Sequence, residues 1–204
     1  IYAALSGFGQ TGPYSSYSSY AAIAEAISGH TYATGKGIDL EHRPVTMAGA
    51  IGDLGPAMYA AFAIVAAIRH RDKTGEGQMI DVAQADAMVA LNCCDSIAYD
   101  LLKMDLVQRR KDRVRDPNLI WTIVPVKDGW IQLAGERVRG IENLKEELGV
   151  EELSKDLVTE KIKDMTRIEA FRWLANLGFP SAPIYEAYEA MDDPHLIARD
   201  MWRE

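Results

Sequence analysis

The chain has 204 residues, 48% of them apolar and 25% charged, and 30 acidic against 22 basic side chains give a formal net charge of −8. That length supports one full domain or two small ones, and the composition is that of a soluble globular protein. The acidic balance argues against a nucleic-acid binder, whose footprint is basic, and each apolar run reads as too short or too broken by charge to span a bilayer. Cys93 and Cys94 are adjacent in a helical pattern, poorly placed for a structural disulfide and at home in a reducing cytoplasm. Four scattered histidines give no support for a metal site. Both ends read as cut, since the chain opens on Ile1-Tyr2-Ala3-Ala4-Leu5 in mid-strand and stops at Met201-Trp202-Arg203-Glu204.

In chain order, residues 1–6 read as a short buried strand running into Gly7-Phe8-Gly9-Gln10-Thr11-Gly12-Pro13. Three glycines and a proline in seven residues make a loop with special backbone angles. It is either a plain turn or a ligand loop, and its spacing fits neither a Walker nor a dinucleotide fingerprint. Tyr14, Tyr17 and Tyr20 alternate with serines, and a short helix over 21–28 is closed by Gly29. Residues 31–44 read as a connection with a turn at Gly35-Lys36-Gly37.

Thr46 to Pro56 is a run of small and apolar residues broken by one carboxylate, Asp53, the only charge between Arg43 and Arg69. The pattern predicts a helix over 54–70, mostly buried because apolar residues surround its axis, with Pro56 in its first turn. Asp53 reads either as the helix N-cap, a role Asp fills well, or as a reacting group. A tight turn at 73–78, a strand at 79–83 and a long helix over 84–104 follow, the pattern of an α/β layer with a parallel sheet.

Residues 108–118 form a charged run that reads as a linker between domains or as a contact for an anionic ligand. Beyond it, 121–125 and 130–134 are strands about Lys127-Asp128-Gly129. Helices are predicted at 141–148, at 166–177 behind a Thr166–Glu169 capping box, at 186–191 and from Asp193-Pro194 onward. The prolines at 180 and 183 confine the intervening extended segment to a sheet edge or a loop. Residues 119–204 thus read as a small α+β domain and 1–107 as part of a larger α/β one.

Six blocks, in order, resemble the family III CoA-transferases, the group of formyl-CoA and carnitine-CoA transferases and α-methylacyl-CoA racemases. They are Leu5 to Tyr14, Ile23 to Gly29, Gly52-Asp53, Arg71 to Gln78 leading into Ile80-Asp81-Val82, Lys127-Asp128-Gly129, and Asp193 to Leu196. The resemblance implies that residues 1–107 are part of a Rossmann-like large domain with parallel strands and long buried helices. It implies Asp53 as a nucleophile that attacks an acyl-CoA thioester and passes through an aspartyl-CoA intermediate, with Ala50, Gly52 and Gly55 leaving room for the thioester. A carboxylate at a helix N-terminus is favoured by roughly 0.3–1 kcal/mol.

Gly7, Phe8, Gly9 and Tyr20 are implied to bind the coenzyme A moiety, with no metal, and the whole protein to be a cytoplasmic homodimer acting on acyl-CoA and a carboxylic acid. Tyr20-Ala21 stands where the racemases carry His-Asp, which favours transfer over racemisation, while Ala21 departs from the acid usual in both branches. A racemase and a non-catalytic chain that needs a partner remain the alternatives. Family members are about twice this length, and residues 116–120 lack the glycine-rich loop of the formyl-CoA transferases.

Overall fold

The computed structural model describes residues 1–38, 43–92, 120–135 and 140–201. The chain divides into two compact units, Ile1–Asp112 and Arg113–Glu204. Cys93 and Cys94, the end of the predicted 84–104 helix and the charged 108–118 run lie outside the described residues.

In the first unit, β1 (Tyr2–Ser6) pairs in parallel with β2 (Met79–Ala83), in a register running from Tyr2↔Met79 to Ser6↔Ala83. The connection between them carries α1 (Ala21–Ile27), α2 (His30–Ile38) and α3 (Ile51–Thr74), and α4 (Gln84–Leu91) begins directly after β2. The parallel sheet, the strands and the α1 helix with left-handed Gly29 after it (φ 87°) match the sequence reading. Four expectations are corrected.

Residues 30–38 are helical where a turn was expected. Gly35 serves packing there, because a Cβ on it would meet the Arg43 carbonyl oxygen at 2.2 Å. The α3 helix starts at Ile51, so Pro56 sits in its second turn; it ends at Thr74 before left-handed Gly75 (φ 79°), with Arg71 and Lys73 in the last turn, where the macrodipole favours them.

The third correction concerns burial. Only Gly52, Gly55, Pro56, Ala60 and Ala67 of α3 are buried, while Leu54, Met58, Phe62 and Val65 are exposed, Phe62 by 78%. Similarly, β1 buries Ala4 but leaves Tyr2 and Leu5 exposed. Apolar character all round a helix shows that it can be buried; it does not say which face has a neighbour. Here the neighbours α1, α4, β1 and β2 pack against α3, and its buried side is a stripe of small residues that lets backbones approach closely. By length and composition α3 could also cross a bilayer, with an 18-residue window of mean hydropathy 1.7, which corrects the expectation that no run is long and apolar enough.

The second unit has a larger-residue core. β3 (Ile120–Val126), β4 (Gly129–Gly135) and β5 (Ser181–Pro183) form an antiparallel sheet in that order, with Val126↔Gly129 closing the expected hairpin and β5 on the edge. The helices of the unit are α5 (Gly140–Leu148), α6 (Lys155–Ile162), α7 (Arg167–Asn176), α8 (Ala187–Met191) and α9 (Pro194–Ala198), with α6 packed on β3 and α7 on β4 and β5. Ile131, Leu133, Leu144, Ile162, Leu174 and Phe179 are among its buried residues. The α6 helix went unread in the sequence; Ser154 caps it by accepting from the Leu157 N–H. The Thr166–Glu169 capping box forms as expected.

Arg167 ties this unit together. Its guanidinium donates to both Glu189 carboxylate oxygens (Nη1 to Oε2 2.9 Å, Nη2 to Oε1 2.5 Å) and to the Ile184 carbonyl, and its backbone N–H donates to Asp128. The hydrogen bond from Arg167 lowers the Glu189 carboxyl to about 2 and raises the guanidinium further above neutrality.

Candidate functional site

The pairing of Ser6 with Ala83 brings the carboxyl ends of β1 and β2 abreast. At that edge of a parallel sheet the chain on both strands turns away into a loop or helix, and ligands of open α/β sheets bind there. From β1 the chain leaves through Gly7; from β2 it enters α4 at once, with Gln84 first. The start of α3 stands beside both, and a cleft of about 240 Å³ is lined by Leu5, Ser6, Gly7, Ser19, Asp53, Pro56, Val82 and Gln84.

Asp53 is the third residue of α3, in its first turn. The N-cap position falls instead to Ala50, in the left-handed region at φ 49°, ψ 40°, so the expectation of Asp53 as cap is corrected. With that duty removed, the carboxylate is exposed in the cleft, and its Oδ1 accepts a 2.5 Å hydrogen bond from Gln84 Nε2. A neutral amide donor orients a carboxylate without cancelling its charge.

Gly52 and Gly55, expected to leave room beside Asp53, serve a different end. A Cβ on Gly52 would lie 2.3 Å from the Ala21 carbonyl oxygen, and one on Gly55 would lie 2.6 Å from Leu91 Cδ1. Both glycines face α1 or α4 and are buried, so they hold helices together. The loop side of the cleft is packed just as closely. There Gly7 lets Ser19 approach, since a Cβ on Gly7 would meet Ser19 Cβ at 2.2 Å.

Of the other residues singled out in the sequence, Gly7 lines the cleft with Asp53. Phe8 turns into a neighbouring cleft with Thr11, Gly12, Pro13, Tyr14 and Asp86, and its ring meets Tyr14 edge-on at 5.8 Å. Gly9 is left-handed at φ 86°, and its N–H donates to Ser6 Oγ. The next N–H, of Gln10, donates to Asp81 Oδ2 at 2.9 Å. Two loop amides are therefore taken by protein oxygens, one of them a carboxylate, which makes the loop a braced turn at Gly9-Gln10. Tyr20 is 77% exposed and precedes α1 as its N-cap residue, adjacent in sequence to Ser19 of the cleft.

Gln84 and Ser19 went unremarked in the sequence. Gln84 carries a signal, being the first residue after a strand whose carboxyl end abuts the glycine loop. Ser19 carries none, because only the fold of the 7–20 segment brings it beside Gly7.

The family model described as CoA-transferase family III matches residues 1–204. Among curated relatives, a succinyl-CoA–D-citramalate CoA-transferase of Chloroflexus aurantiacus is 28% identical over 96% of this chain and 52% of its own. A succinyl-CoA–L-malate CoA-transferase alpha subunit of the same species is 30% identical over 96% of this chain and 49% of its own. The chain thus spans about half the length of the curated relatives it matches. Among solved structures, a CaiB/BaiF family protein from Brucella suis superposes with a TM-score of 0.78 at 25% identity, covering 98% of this chain and 57% of that one.

Proposed function

The chain belongs to CoA-transferase family III, and from that premise we propose that it carries the nucleophile of an acyl-CoA:carboxylate CoA-transferase, Asp53. The observation that supports this reading most is an exposed carboxylate in the first turn of α3, at the carboxyl edge of a parallel strand pair, held by one neutral donor.

An Asp53 oxygen attacks the thioester carbonyl carbon, and the C–S bond breaks to release CoA thiolate and leave a mixed anhydride. The thiolate then attacks the Asp53 carboxyl carbon, expelling the donor acid as its carboxylate and giving an aspartyl-CoA thioester. The acceptor carboxylate reverses both steps and leaves with CoA, regenerating Asp53. No net proton, electron or water enters, and one hard exchange is split into easier ones. Gln84 fixes the attacking carboxylate from the β2 side, which is a contribution of orientation.

Gly7, at the cleft, with Phe8, Gly9 and Tyr20 around it, would contact the acyl-CoA. The relatives' names carry succinyl-CoA as donor and hydroxy-dicarboxylic acids as partners, so we propose succinyl-CoA and a dicarboxylic acid as the first pair to assay. The first unit would be part of a Rossmann-like large domain and 119–204 a small domain, joined by the 108–118 linker, in a cytoplasmic homodimer.

Racemisation by two bases needs a second proton carrier. Among the described residues lining the cleft, Asp53 is the one acid or base, which supports transfer. Incubation of the complete protein with acyl-CoA, then hydroxylamine, should trap the Asp53 side chain as a hydroxamate seen by mass spectrometry. Asp53→Ala should abolish both the adduct and transfer; retained transfer in that variant would sink the assignment.

A further inference from the structure

The buried residues of the first unit are nearly all small or apolar, with one exception that the chemistry above does not use. Glu25, in the middle of α1, is 1% exposed, the one buried charged side chain among the described residues. A carboxyl group taken from water is costly unless hydrogen bonds compensate. Its Oε1 accepts a 3.1 Å hydrogen bond from the backbone N–H of Gly52, the residue immediately before Asp53.

From this geometry we infer that Glu25 is a positioning residue for Asp53, acting as the N-terminal cap of α3 from a different helix. The first N–H groups of any helix lack partners within it, and a side-chain oxygen at the N-cap normally serves one of them. Ala50 holds that position in α3 and has no such oxygen. The Ala50 carbonyl accepts from the N–H groups of Asp53 (3.0 Å) and Leu54 (3.1 Å), and Asp53, the one acid of the first turn, is turned to Gln84. The oxygen for Gly52 therefore arrives from α1, 27 residues earlier in the chain.

Two further features show that this grip is built. Ala21 and Glu25 are four residues apart and lie on one face of α1. Both meet Gly52, Ala21 through its carbonyl against the glycine's bare α-carbon and Glu25 through Oε1 to its N–H. The chain also enters α3 through two consecutive left-handed residues, Gly49 (φ 89°) and Ala50 (φ 49°). An L-residue keeps that conformation only where its surroundings fix it. With Gly52 held on two sides, the Gly49–Ala50 entry cannot relax, and the orientation of the first turn determines where the Asp53 carboxylate points. Loss of the Glu25 bond frees that entry and lets Asp53 swing from Gln84 and the cleft.

This role rests on Asp53 as nucleophile, and it requires an oxygen at the right place, with charge secondary. Glu25→Gln keeps the acceptor; Glu25→Asp keeps the carboxyl group but draws the oxygen back by one methylene. In the complete protein, Glu25→Gln should retain kcat to within about 3-fold. Glu25→Asp should lower kcat about 10- to 100-fold, the scale of a misplaced reacting group, while KM for acyl-CoA changes less than about 3-fold.

The second readout is amide exchange at Gly52. Its N–H should be protected in the native protein and in Glu25→Gln, and should exchange at least about 10-fold faster in Glu25→Asp. Two results would overturn the role: native kcat and native Gly52 protection in Glu25→Asp, or a folded Glu25→Gln protein as impaired as Glu25→Asp. Asp53→Ala in the same assay separates the two ideas. Transfer surviving in that variant removes the nucleophile, while Gly52 exchange still decides whether Glu25 caps α3.

Discussion

Substituting Gly52 by alanine tests the packing under the candidate site. In an ordinary helical position the change is favourable, by up to about 1 kcal/mol, because alanine loses less backbone freedom. Here the new Cβ would lie 2.3 Å from the Ala21 carbonyl oxygen and 2.8 Å from its carbonyl and α-carbons. These are backbone atoms and cannot swing aside as a side chain does. To reach ordinary contact, α1 and α3 must part by about 1 Å, an overpacking cost of about 1–3 kcal/mol, and the separation also stretches the Glu25–Gly52 bond, worth about 1 kcal/mol or more. The net expectation is a loss of about 1–3 kcal/mol.

With a urea slope of about 1–3 kcal/mol/M, that lowers the midpoint by roughly 1 M. Urea unfolding followed by circular dichroism measures it, and amide exchange in α1 and α3 identifies the unit that melts. Gly77→Ala is the control, since a Cβ there meets nothing within 4 Å and its φ is not in the left-handed region. A Gly52→Ala protein with a midpoint at or above the native one would refute the close approach of α1 and α3.

Gln84→Leu removes the donor to Asp53 and puts an apolar side chain of similar bulk in its place. A hydrogen bond to a charged group is worth about 1.5–3 kcal/mol, so kcat for transfer should fall about 10- to 100-fold, and an unchanged kcat would show that the amide does not orient the proposed nucleophile. In the second unit, Glu189 has its folded pKa lowered to about 2 by Arg167, so its stabilising contribution is complete above the ordinary carboxylate range. That contribution should be lost as pH falls from about 4.5 toward 2, and Glu189→Gln should be less stable at neutral pH yet lose less on acidification. Tryptophan fluorescence reads this unit alone, because Trp121, Trp130, Trp173 and Trp202 all lie beyond residue 112; parallel acid profiles for the two proteins would refute it.

Local signals told most where the structure is local. The Thr166–Glu169 capping box and the Asp128-Gly129 hairpin need only neighbouring residues, and both form as read. Helix α3 shows the limit from the other side. Its existence was clear from composition, but its buried side was not, because large and small apolar residues give the same reading all round a helix. Which side is covered depends on α1, α4 and the strands, and they select Gly52, Gly55, Ala60 and Ala67. At the site, Asp53 stood out as a lone charge in an apolar run. Gln84, Ser19 and Glu25 did not, since their importance comes from pairings 31, 12 and 27 residues apart that no periodicity encodes. Gly52 and Gly55 read in the sequence as space for a ligand, and in the fold they are where helices touch.

The parallel pairing of β1 with β2 bears on the order in which this region assembles. Tyr2 and Met79 are partners across nearly eighty residues, and contacts so distant in sequence form slowly because a long loop must close first. The Asp53–Gln84 bond spans less than half of that distance and belongs to the α3–β2–α4 run. A folding chain can therefore set the carboxylate and its amide partner before β1 arrives with Leu5, Ser6 and Gly7. In that order the carboxylate proposed to react is set early and its enclosure late. A polypeptide starting after Gly9 would keep the acid and its donor while lacking the wall that makes them a cleft.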